Sequence, residues 1–153
     1  TYGANSGFRY YKEGSNWNLT TSVRAEVTGE ALREIMNELD AVQDERPIAD
    51  VEVGVARSAE MSVFPQSFET PASIASSLTQ LAVYGLPDDY FQTYLGNLAA
   101  TATDAVAEAM IEVVDQQQLR FLVVGDQQVV LPTLKEAGFE DIRLLDIDGK
   151  PQH

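Results

Sequence analysis

Few residues in this sequence belong to types that do chemistry, and their spacing closes off most reactions. There is no cysteine, and the only histidine is the last residue, His153. A catalytic zinc ion normally needs three convergent protein ligands, and neither HExxH nor HxxEH occurs. Asp146, Asp148 and Gly149 begin like a calcium loop but lack the later glutamate, so the segment reads as an Asp-Gly turn. Ser6 lies between Asn5 and Gly7, which is not a nucleophile elbow, and no usable histidine is available as its base. Gly125 follows an apolar run without a GxGxxG or Walker pattern. Two groups of aromatics are left, in "FRYYK" and "YFQTY", together with Tyr2 beside Gly3. Tyr84, Tyr90, Phe91 and Tyr94 read first as helix-packing residues, with a contact surface for a partner as the alternative. Tyr2 is a candidate ligand contact, because the glycine next to it permits close backbone approach.

Twenty-four acidic residues against ten basic ones give a net charge of −14, a field that repels phosphate backbones and anionic lipid heads. Nucleic acid and membrane surfaces are therefore poor partners. The acid is spread along the chain, and neither a long apolar stretch nor a signal-peptide pattern is present, so membrane insertion is not expected. A chain of 153 residues suits a single domain, here residues 1–153, with one hydrophobic core. Lack of cysteine does not choose a compartment, which stays open between a bacterial periplasm or envelope and the cytoplasm. "TYGANSGF" reads immediately as strand, as expected of a piece of a longer chain.

Several elements would hold these residues. "TYGANSGFRYYK" and "SNWNLTTSVRAE" alternate with period two around a Lys12–Ser15 hairpin loop. "TGEALREIMNELDAVQDERP" has apolar residues at helical spacing after Thr28, a candidate cap, and stops at Pro47. In "IADVEVGVARSAEMSVF", Val51, Val53 and Val55 alternate like a strand, while Asp50, Glu52, Arg57 and Glu60 suit a solvated helix face. The next segment is sharper: Thr70 can cap, Pro71 suits the first helical position, Ile74, Leu78 and Leu81 line one face, and Gly85 with Pro87 ends the helix. "DDYFQTYLGNLA" reads as a short helix, and Thr101 with Asp104 as a capping box for "TATDAVAEAMIEVV". "LRFLVVGD" reads as a buried strand, "QQVVLPTLKEAG" as a helix closed by Gly138, and "IRLLDIDG" as a last strand. Together these describe an α+β fold, a mostly antiparallel sheet covered by helices.

Several of these segments together resemble one family. "FETPASIASSLTQLAVYGLPDDYFQTY", then "TATDAVAEAM", then "LRFLVVGD" is similar, in order and spacing from Phe68 to Asp126, to the C-terminal half of pitrilysin/insulinase-type zinc metallopeptidases, the inverzincins related to mitochondrial processing peptidase. "TYGANSGF" and "TGEALREIMNEL" extend the likeness over nearly the whole chain. The resemblance implies the LuxS/processing-peptidase-like metallohydrolase fold and makes the valine stretch a helix. It further implies a non-catalytic ("inactive") domain, not active alone, that walls a peptide chamber and docks to a zinc-bearing domain or subunit. Zinc would belong to that partner and the cargo would be a peptide. Tyr2 stands where the family offers a tyrosine to the substrate; the accompanying arginine would lie upstream of this sequence, and Arg9 is on the wrong side of Tyr2 to replace it. A structural or assembly subunit of the same descent, with no peptide contact, is the alternative, and an independent acidic binding module a third. A domain taken from such a clamshell should expose an apolar face and could form a homo-dimer, whereas a module should be monomeric.

Overall fold

The computed structural model describes residues 3–152, a mixture of helices with a small antiparallel sheet. Strands β1 (Ala4–Tyr10) and β2 (Ser15–Thr21) form a two-stranded hairpin. Gly14 turns its loop at φ 92°, a value that only glycine adopts without steric cost. Thr21 Oγ1 donates to the Gly3 carbonyl at 3.0 Å and fastens the open end. Phe8 and Tyr10, two residues apart and so on one face, stack at 6.1 Å.

Among the described residues six α-helices follow: α1 (Thr28–Gln43), α2 (Asp50–Val63), α3 (Pro71–Tyr84), α4 (Tyr90–Ala100), α5 (Thr103–Val113) and α6 (Gln127–Glu136). Helix α3 follows its local code closely. Thr70 Oγ1 accepts the Ser73 amide at 3.1 Å and Pro71 occupies the first turn. At the other end Gly85 adopts φ 63°, which lets the Leu86 amide reach the Leu81 carbonyl at 3.0 Å. Its expected apolar stripe is not covered, since Ile74 is 39% and Leu78 59% exposed, and it is Ser77 that is buried, donating to the Ser67 carbonyl at 3.2 Å.

Helix α2 resolves the valine stretch. Residues two apart on a helix lie about 200° around its axis, so an alternating pattern also separates two helix faces. Val53 is buried while Val51 and Val55 are 69% and 67% exposed. Two caps depart from expectation. Thr28 lies inside α1, where its hydroxyl donates to the Ala25 carbonyl at 3.0 Å, and a 3-10 turn at Ala25–Val27 leads in. The Thr101–Asp104 box is not formed: α5 starts after Ala102, Thr101 donates to the Asn97 carbonyl at 3.0 Å, and Thr103 donates to the Asp50 carboxylate. A local acceptor for Thr101 and a tertiary one for Thr103 compete with the cap.

Neither expected strand near the C-terminal end forms. Arg120–Gly125 enters no ladder, and from the last run only Leu145 makes an isolated bridge, to Pro151. A strand needs a second strand to satisfy its amides and carbonyls, and apolar residues alone do not supply one. The Asp-Gly turn does form, with Gly149 at φ 77° and the Asp146 carboxylate accepting the amides of Asp148 and Lys150 at 2.9 and 2.8 Å.

The described residues gather into two compact units. One contains Leu19–Asp40 and the chain from Gln116 onward. There Leu39, Val130 and Leu134 are buried, and α1 meets α6 at backbone distance: a Cβ on Gly29 would stand 2.0 Å from the Thr133 carbonyl oxygen. The Gly29 amide donates to Thr133 Oγ1 at 3.2 Å. The other unit contains Gly7–Asn18 and Ala41–Asp115, with Val53 and Val114 buried.

Candidate functional site

Tyr2 and His153 lie outside the described residues. What the structure gives near Tyr2 is the backbone beside it. Gly3 has φ 91°, its carbonyl is held by Thr21, and a Cβ at Gly3 or Gly7 would meet nothing within 4 Å. The glycine-rich strand is therefore open along its backbone, which is the condition for a close approach by another chain.

The aromatic residues of the second unit are brought together. Phe64 and Tyr94 stack at 4.8 Å with 12° between planes. Phe68 meets Phe91 edge-on at 5.2 Å, and Tyr90 meets Phe91 in the same way at 5.2 Å. Helix α4 supplies Tyr90, Phe91 and Tyr94, and the short 3-10 helix Phe64–Phe68 that continues α2 supplies the other two rings. Tyr84 stands apart, its hydroxyl donating to the Tyr10 carbonyl at 3.1 Å. Phe64 and Phe68 escaped the sequence reading, although four-residue spacing ahead of "YFQTY" is the pattern that would have exposed them.

Partial burial pushes the Tyr94 hydroxyl above its ordinary pKa, and the negative charge of Glu60 adds to that shift, followed by Tyr90 and Tyr10. Glu60 sits four residues before Phe64 and so shares its helix side. A neutral phenol against packed rings is a packing group at ordinary pH, and its chemistry is that of a hydrogen-bond donor.

Arg57 corrects the reading of α2 as a helix with a purely solvated charged face. Its guanidinium Nη2 donates to the Thr101 carbonyl at 2.6 Å, and its buried Nε has no partner among the described residues. The Thr101 carbonyl lies at the C-terminal end of α4, where the helix dipole is negative and a cation is stabilising. Between residues 47 and 119 this arginine is the lone basic residue against ten acidic ones. That segment is therefore strongly negative, with its one cation turned inward.

Among the described residues no group of three His, Cys, Asp or Glu side chains is gathered as a metal site, and no helix is long and apolar enough to cross a membrane. A shallow depression of about 330 Å³ on α2, lined by Val51, Glu52, Val55 and Ala56, offers apolar contact and one carboxylate. Neither the family models nor the curated proteins compared with this chain include a match.

Proposed function

We propose that this chain is a non-catalytic domain of a zinc metallopeptidase-like protein, one that walls a peptide chamber and docks to a zinc-bearing domain or subunit. The carrying observation is the ordered set of segments from Phe68 to Asp126. Their punctuation gives further support: the Thr70–Pro71 start and the Gly85 stop make α3 a rigid rod, and rigid walls hold a peptide in place without catalytic side chains of their own. On this reading the hairpin belongs to a larger, mostly antiparallel sheet of the processing-peptidase type. Zinc and the general base come from the partner, and Tyr2 donates a hydrogen bond to the bound peptide or its developing oxyanion.

Mixing the chain with an HxxEH-bearing subunit and following peptide hydrolysis tests the proposal. The chain alone should carry no stoichiometric zinc and cleave nothing; the mixture should form a stable complex and hydrolyse peptide. In that complex Tyr2→Phe should cost roughly 2–4 kcal/mol of transition-state stabilisation. An unchanged kcat/KM would leave Tyr2 without a catalytic part, in keeping with an assembly subunit, and turnover by the isolated chain would overturn the reading altogether.

A further inference from the structure

The run Arg120–Asp126 has the surface of a sheet edge. Odd positions turn towards α6 and the turn after it: Phe121, at 41% less exposed than Leu122, meets the Phe139 ring at 5.5 Å, and a Cβ on Gly125 would lie 3.0 Å from Val130 Cγ2. Even positions face outward, with Leu122 82% and Val124 92% exposed, and Arg120 and Asp126 exposed at either end. Among the described residues, the amides and carbonyls of Phe121–Gly125 make no hydrogen bond with other backbone. Exposed apolar residues in period two along an unpaired backbone are the features that recruit another strand.

We propose that this edge pairs antiparallel with the same edge of a second copy of the chain, about a two-fold axis through Val123. The occupant follows from the run's own charges. In that register Arg120 of each copy stands opposite Asp126 of the other, Leu122 opposite Val124, and Phe121 opposite Gly125. A two-fold contact must be complementary to itself, and this segment is. Slipping the register by two residues sets Arg120 against Val124 and Leu122 against Leu122, losing both charge pairs; slipping by one exchanges the outer and inner faces. Both end groups are available. Arg120 has no carboxylate partner among the described residues, its Nη1 donating to the Leu119 carbonyl at 2.8 Å, and Asp126 uses Oδ1 alone to cap the Gln128 amide at 2.9 Å. The seam is locally neutral within a chain of net charge −14, so pairing there meets the least repulsion. Nothing in this pairing depends on the peptidase-like reading.

Sedimentation equilibrium of the full chain should show a monomer–dimer equilibrium. Arg120→Glu sets two acids face to face and Asp126→Lys two bases, so each alone should weaken association at least about tenfold, a change of about 1.4 kcal/mol. An equimolar mixture of the two variants restores both opposite-charge pairs and should recover the dimer in trans, which no fold-stabilising role of either residue would produce. Because Asp126 also caps α6, Leu122→Glu gives a second disruption at a side chain that is already solvent-exposed; it too should abolish the dimer while circular dichroism stays unchanged. A chain that is monomeric up to about 1 mM, a dimer indifferent to Leu122→Glu, or variants that fail to rescue each other would overturn the proposal.

Discussion

Helix α3 closes its backbone hydrogen bonds within its own residues and caps, whereas Phe121–Gly125 is five successive residues with no backbone partner among the described residues. The first region has Thr70 at one end and Gly85 at the other, so every feature needed to stop and start the helix lies within a few residues of it. The second has a β-branched, aromatic composition suited to a strand, but the groups that would complete it are not among its sequence neighbours. Helices are local solutions to the backbone's need for hydrogen bonds and strands are non-local ones. Between these extremes stands the α1–α6 contact, in which two helices far apart in sequence depend on one small residue.

That contrast can be broken experimentally, beginning where tertiary contact dominates. Gly29→Ala inserts a methyl group into the Thr133 backbone, 2.0 Å from its carbonyl oxygen. Alanine at a helical position would otherwise gain about 1 kcal/mol over glycine. Overpacking against backbone should reverse that sign and cost about 3 kcal/mol, visible as a lowered urea midpoint. A variant as stable as the parent would mean that α1 and α6 do not touch. Thr70→Ala removes a local cap and should cost about 1 kcal/mol in the same measurement, with helix content falling slightly. If the loss matched that of Gly29→Ala, α3 would owe its boundaries to tertiary packing rather than to its own ends. Smallest is Leu122→Ala, which at 82% exposure should shift stability by less than about 0.5 kcal/mol in the monomer. A larger loss at low protein concentration would show that Leu122 is covered within its own chain.

The helical half of the fold was legible to the degree that its punctuation was. Thr70, Pro71 and Gly85 marked α3, Gly138 at φ 94° closed the turn after α6, and Gly14 shaped the hairpin loop. Thr101 and Asp104 carried the right spacing for a cap and did not make one, because Asn97 and Asp50 offered the threonine hydroxyls of that turn other acceptors. The aromatic cluster was half visible: "YFQTY" showed three of its rings, but Phe64 and Phe68 joined them only because the 3-10 helix after α2 turns them against α4. Arg57 looked like one more surface charge until the fold set it at the end of α4.

From the sequence alone came the acidic character, the absence of thiol chemistry, the N-terminal hairpin and the ends of helices whose capping groups are near neighbours, since all of these depend on residue type and short spacing. Which valines are covered, which rings meet, where Gly29 admits a crossing backbone and which apolar run is left without a ladder were decided only in three dimensions. Each of those depends on groups brought together from distant positions, and neither composition nor periodicity encodes which distant segment will arrive.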